Sequence, residues 1–250
     1  MTPADQTTTT STAANDAWFK TTHWSAVLQA NDRHSPQSDA ALAALCQTYW
    51  YPLYVFVRRQ GHSPEDAQDL VQGFFVQVFE KKYFKSADPE KGKFRSFLLT
   101  GLKRFMANEW DRARCQKRGG GQKLISLDDK KTESRYLSEP KDEMTPEKAF
   151  ERRWAMTLLA QVLTLLKAEC YADGKGQLFD ELEVFLSGEN DDNSYSEAGN
   201  KLGLSAEALR MSVFRLRKRF RELLRREIAN TVDSPAAIED EIRHLFAALS

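Results

Sequence analysis

Apolar positions recur along most of this chain at three- and four-residue steps. No segment of useful length alternates with the two-residue period of a strand. The longest helical stretch runs from Asp39 to Gln60, with Leu42, Leu45, Tyr49, Leu53, Phe56 and Val57 on one side. Pro52 is expected to bend or split it, and Gly61 to stop it. The next helix has a clear start. Ser63 suits the N-cap, and Pro64 suits the first helical position, whose N–H has no intrahelical partner. Glu65 and Asp66 place negative charge on the positive end of the helix dipole. This helix continues through Leu70, Val71, Phe74, Phe75, Val78 and Phe79. Asp88-Pro89-Glu90-Lys91-Gly92 reads as a turn. A further helix follows from Phe94 to Arg114, with Phe97, Leu98, Leu102, Phe105 and Met106 as its apolar face.

Gly119-Gly120-Gly121 breaks the pattern, and from there to Met144 the sequence is charged and without period. Residues 119–144 therefore read as an interdomain linker. Thr145-Pro146-Glu147 opens a helix by the same N-cap and proline logic, running to about Cys170 on Phe150, Trp154, Leu158, Val162, Leu165 and Leu166. Gly174 and Gly176 separate it from Leu178–Leu186. Two short helices are expected next, over 194–202 and 205–229, and a small amphipathic one on Ile238, Ile242, Leu245, Phe246 and Leu249. The expected fold is all-α. It has a polar, Thr-rich tail at 1–20 read as disordered, a helical bundle at 21–118 and a helix-turn-helix domain at 145–230. A C-terminal extension at 231–250 completes it. Trp24 to Ala30 adds a short amphipathic stretch ahead of the bundle.

Composition changes this picture little. The chain has 250 residues, 41% hydrophobic and 29% charged, enough to bury a core. No apolar run approaches a bilayer span of about 20 residues, and Met1 to Thr12 has no secretory h-region. Cys46, Cys115 and Cys170 form no CxxC pair, which argues against a disulfide framework or zinc site and fits a reducing cytoplasm. No cofactor-binding pattern is present.

Charge changes it more. The net charge is zero, but the signs are segregated. Lys91 to Lys123 holds ten positive residues opposed only by Glu109 and Asp111, a net of +8. Ser205 to Arg226 holds eight against Glu207 and Glu222, a net of +6. Acidic stretches precede both, Gly61 to Glu80 and Leu178 to Glu197. The two basic blocks are candidate phosphate-binding faces, with solvated helix faces as the plain alternative.

Three motifs carry candidate chemistry. In YSEAGNKLGLSAEALRMSVFRLRKRF, Tyr195 to Phe220, Gly203 supplies a tight turn and Ser205 caps a second helix. Leu202, Leu204, Leu209, Val213 and Leu216 are placed to pack the pair. Glu207, Arg210, Met211, Ser212, Phe214 and Arg215 are left outward or partly so. This is the layout of a helix-turn-helix, in which arginines reach guanine edges and the later basic residues meet phosphates. Gly199 is out of place, since glycine inside a helix costs about 1 kcal/mol against alanine. The Lys91–Lys123 block mixes cations with Phe94, Phe97, Phe105 and Trp110, as single-stranded DNA binding requires. Phe97 and Phe105 fall at core positions, while Phe94 and Trp110 stay open between core and base platform. In SPEDAQDLVQGFF, Asp66, Asp69 and Gln72 share one helix face, suited to docking a basic partner helix.

These segments, in this order, resemble the two-domain sigma factors of bacterial RNA polymerase, of the extracytoplasmic-function type. LCQTYWYPLYVFVRRQG looks like the family's first helices and EDAQDLVQGFF like the segment that docks on the polymerase clamp helices. FRSFLLTGLKRFMANEWDRAR is similar to the part that melts and reads the minus-ten element. Tyr195 to Leu224 is similar to the domain that reads the minus-thirty-five element. The resemblance covers about 40–118 and 178–226. It implies core-polymerase contacts from Asp66, Asp69, Gln72 and Phe75. It implies minus-ten contacts from Lys91, Lys93, Phe94, Arg95, Lys103, Arg104, Asn108 and Trp110. Minus-thirty-five contacts are implied from Arg210, Ser212, Phe214, Arg215, Arg217, Lys218 and Arg219. The implied partners are core RNA polymerase, promoter DNA as duplex and melted strand, and an anti-sigma protein. The sequence departs from the family at Arg104, where Asn is frequent, at Ser212, where Arg is frequent, and at Gly73, where Glu is usual.

The expected function is that of a sigma factor, a specificity subunit and not an enzyme. The competing reading is a stand-alone helix-turn-helix regulator that binds palindromic duplex DNA as a dimer. Such a regulator has no use for the basic-aromatic block at 91–114. No GK[ST] follows the triple glycine, and no HExxH, GxSxG or paired metal-ligand spacing is present.

Overall fold

The structure, a computed structural model, describes residues 36–79, 93–115, 129–138, 143–186, 192–232 and 234–250. The N-terminal tail, the Trp24 stretch, the 88–92 turn with Lys91, and the triple glycine lie outside the described residues. Those described form nine α-helices and a short 3-10 turn, with no strand among them. In chain order they are α1 (Pro36–Arg59), α2 (Pro64–Phe79), α3 (Phe94–Cys115), α4 (Asp129–Leu137), α5 (Pro146–Ala172), α6 (Gly176–Leu182), the 3-10 turn Glu183–Leu186, α7 (Asp192–Leu202), α8 (Ala206–Ala229) and α9 (Pro235–Leu249). No described helix is long and apolar enough to cross a membrane.

The helix ends follow local chemistry. Ser63 Oγ accepts the Asp66 N–H at 3.1 Å, and Ser205 Oγ accepts the Ala208 N–H at 3.2 Å, each an N-cap side chain meeting an orphan donor. Gly203 has φ +67° and the Leu204 N–H reaches back to the Gly199 carbonyl at 2.9 Å. That six-to-one bond with a left-handed glycine is a Schellman end. Gly174 ends α5 in the same way, with Lys175 N–H on the Cys170 carbonyl at 2.8 Å. Pro52 does not split α1, which runs through it unbroken.

Two compact units emerge. The first comprises 1–157 together with 228–250, and the second 158–227. In the first, α1 buries Tyr49, Leu53, Phe56 and Val57 against Val71, Phe74 and Phe75 of α2 and Phe94, Leu98, Leu102 and Phe105 of α3. Phe75 stacks on Trp50 at 5.7 Å, and Phe94 meets Tyr49 edge-on at 5.4 Å. Gly73 fits the same core. A Cβ there would stand 3.0 Å from the Phe105 ring, so this ring of α3 packs on α2 where the helix has no side chain.

Residues 119–144, expected as linker, contain a helix. α4 lies on α1: Glu133 receives the Arg58 guanidinium at 2.8 and 3.3 Å and the Tyr54 hydroxyl, and Arg135 lies 3.8 Å over the Tyr51 ring. Burial, then the Glu133 bond, pushes the Tyr54 phenol well above its ordinary pKa. The division between units falls within α5 and α8 instead of at the linker. The C-terminal extension is a helix, as its apolar spacing predicts, and belongs to the first unit.

In the second unit Leu182, Phe185, Ala198, Leu209 and Val213 form the core, flanked by Leu178, Tyr195, Leu202 and Leu216.

Candidate nucleic-acid interface

α2 presents two faces. Ala67, Val71, Phe74, Phe75 and Val78 point into the core, while Glu65, Asp66 and Asp69 are exposed. Phe75 is 1% exposed and Gln72 is buried with it. Of the residues expected to meet polymerase, these two sit on the packed side of α2, Phe75 one turn beyond Val71. The outward acidic edge is Glu65, Asp66 and Asp69.

α3 divides similarly. Arg104, Asn108 and Trp110 are exposed, Trp110 at 65%, so the indole is open to solvent and not a core ring. Lys103 is exposed beside them and carries an ion pair to Glu147 at 2.7 Å. The start of α3 is different. Phe94 is a core ring. Arg95 is 4% exposed. Its guanidinium bonds Glu241 at 2.7 and 3.3 Å, pairs with Glu151, and lies 5.0 Å over the Trp154 ring. Lys93 pairs with the same Glu241 carboxylate at 2.7 Å. Of the expected minus-ten residues, Arg104, Asn108, Trp110 and Lys103 thus lie on open surface. Lys93 and Arg95 are occupied from within the chain.

α7, the Gly203 turn and α8 form the expected helix-turn-helix. Leu209 and Val213 face the core. Glu207, Arg210, Met211, Phe214, Arg215 and Lys218 face out, Phe214 at 59% exposure. Arg210 lies 5.5 Å over the Tyr195 ring of α7. Ser212 sits on the shoulder and donates its hydroxyl to the Ala208 carbonyl at 2.9 Å. The two remaining arginines hold the unit together. Arg217 donates to the Phe185 carbonyl at 2.7 and 3.2 Å, satisfying the end of the 3-10 turn. Arg219 grips Glu169 bidentately at 2.8 and 2.9 Å, with Glu222 at 2.9 Å. Hydrogen bonds from Arg219 hold the Glu169 carboxyl below the usual range, and Glu169 and Glu222 raise the arginine in return. Arg221 and Arg225 were not singled out as contacts from the sequence. Both are exposed, at helical steps from Phe214 and Lys218 on the same outward face.

This basic outward helix lies in the same chain as a three-helix bundle with an acidic edge on α2 and an open Arg–Asn–Trp strip on α3. Residues 47–115 match the family model for sigma-70 region 2. The match spans the second half of α1, all of α2 and all of α3. No curated protein and no solved structure matches the chain. Among the described residues no group of His, Cys, Asp and Glu is placed to hold a metal ion. Burial pushes the Cys46 thiol up to about 12, far from a reactive thiolate.

Proposed function

We propose that this protein is a sigma factor of the two-domain extracytoplasmic-function type, acting in transcription initiation with core RNA polymerase and promoter DNA, with region 2 in the matched segment and a region 4 in residues 158–227. Region 2 docks on core polymerase through Glu65, Asp66 and Asp69 of α2. Arg104, Asn108 and Trp110 of α3 hold the melted minus-ten strand, the cations on phosphates and the indole under an unstacked base. α8 enters the major groove of the minus-thirty-five element. There Arg210 and Arg215 reach base edges, Phe214 meets apolar groups, and Lys218, Arg221 and Arg225 meet phosphates. The observation that carries this reading is the outward face of α8: cations and one exposed aromatic on the second helix of a glycine-turned pair, downstream of region 2. The protein does no covalent chemistry. Strand binding offsets the cost of unstacking the duplex, a few kcal/mol per step. An anti-sigma protein would act by covering the α2 or α8 face.

The test is a pull-down with core RNA polymerase, comparing the wild type with an Asp66→Arg, Asp69→Arg double variant. Stoichiometric binding that the double variant loses is the expected result. Unaided binding of palindromic duplex without any hold on polymerase would replace this reading with the stand-alone regulator.

A further inference from the structure

Glu241 is an unusual residue to find buried. It is 1% exposed on α9, between the apolar anchors Ile238 and Leu245, and its two oxygens are taken by Lys93 and Arg95. Those two cations flank Phe94, the first residue of α3, the helix that carries the strip of region 2 assigned above to the melted strand. Phe94 between them donates its N–H to the Thr231 carbonyl at 3.4 Å, so the segment leading into α9 also lies against this edge. Glu151 pairs with Arg95 from the other side and meets His244 of α9 at 3.1 Å.

We propose that α9 is a cis-acting mask on region 2, and that the Glu241 carboxylate occupies an anion site that takes a phosphate of the melted DNA strand. Three features favour this exchange. Arg95 and Lys93 are two positive charges met by two carboxylates, Glu241 and Glu151. Withdrawing Glu241 leaves a local excess of one positive charge, the complement of one backbone phosphate. A buried guanidinium cannot be left half unpaired without a large penalty, so the helix leaves only as another anion arrives. The seam is also narrow. Apart from Glu241, α9 fully buries only Ile238 and Leu245, while Glu239, Asp240, Arg243 and Phe246 on its far side are exposed. A charge-centred contact with so little apolar area yields to a competing polyanion more readily than a packed core does.

This inference rests on the proposed reading of region 2, and its test separates the two. Full-length protein with core RNA polymerase is titrated with a fluorescein-labelled, mixed-sequence single strand, as wild type and as Glu241→Gln. The mask predicts that Glu241→Gln binds about tenfold tighter, and that adding Lys93→Ala to it removes the gain. Hydrogen exchange on the wild type, with and without the strand, does not depend on a variant folding. The mask predicts faster exchange over 238–249 when strand is bound. Strand binding with unchanged exchange there, and equal affinity for Glu241→Gln, would overturn the mask and leave the region 2 assignment standing. Absence of strand binding by either protein, together with failure of the polymerase pull-down, would overturn both.

Discussion

Arg210 and Arg217 lie two turns apart on α8 and look alike in the sequence, yet their surroundings assign them different work. Arg210 is exposed on the outward face, whereas Arg217 spends two of its donors on the Phe185 carbonyl. Replacing Arg210 or Arg215 with alanine is expected to cost about 1–3 kcal/mol of affinity at the upstream element and to leave unfolding unchanged. Arg217→Ala is expected to cost about 1.5–3 kcal/mol of stability, the range for a hydrogen bond to a charged donor. Promoter binding and urea unfolding measured on the three variants check the division. Equal loss of DNA affinity with no loss of stability in Arg217→Ala would contradict it. A helical period read from the sequence places Arg210 and Arg215 correctly. It cannot show that a neighbouring carbonyl has claimed Arg217, or that Glu169 has claimed Arg219 from 50 positions away. The same limit applied to Arg95, whose partner Glu241 is 146 residues further on.

Helices and their ends were the most legible part. Ser63, Ser205, Thr145 and the glycines at 61 and 203 mark boundaries by local chemistry, and local chemistry is what a sequence displays. Gly199 is the instructive exception, because it reads as a weakness in α7. In place it is required: a Cβ there would stand 2.7 Å from the Leu204 carbonyl oxygen, where the turn folds back to bond the Gly199 carbonyl. An ordinary helical Gly→Ala change gains about 1 kcal/mol. Gly199→Ala is expected instead to lose about 1–3 kcal/mol, read as a lowered urea midpoint, because the obstructing atom is backbone and the turn must open. A raised midpoint would refute this account of the turn. α4 is the opposite case. DKKTESRYL has no apolar period, so the segment reads as linker. Its helix is held from outside by Arg58, Tyr54 and Tyr51, and such long-range polar pairing leaves no trace in local periodicity.

Across the whole chain, the segregated charge visible in the sequence becomes a set of surface pairs with a pH signature. Glu147 is held below the usual carboxylate range by its bond from Lys103, Glu169 by Arg219, and Asp180 by Tyr171 and then Lys167. A carboxylate with a lowered folded pKa binds fewer protons folded than unfolded. Its contribution is therefore present above the ordinary value and lost as pH falls through the folded one. The melting temperature is expected to hold above about pH 4.5, the ordinary glutamate value, and to fall below it. Because these pairs are exposed, added salt should shrink the effect. A pH-independent melt through that interval would contradict the assignment. Domain boundaries were less legible than charge. A glycine run draws the eye to 119–144, whereas compactness divides the chain inside two long helices.

Thr231 to Ser250 looked like an appendage, and its position against α3 gives it an unusual genetic signature. In most proteins a premature stop near the end of the gene removes part of the core and lowers output. Here a stop ahead of Pro235 would remove the Glu241 carboxylate and the two apolar anchors that seat it. Selection for elevated transcription should then enrich nonsense and frameshift alleles in the codons for residues 235–250, together with charge-removing substitutions at Glu241. The codons for residues 235–250 would behave as a brake, their alleles dominant and their loss a gain.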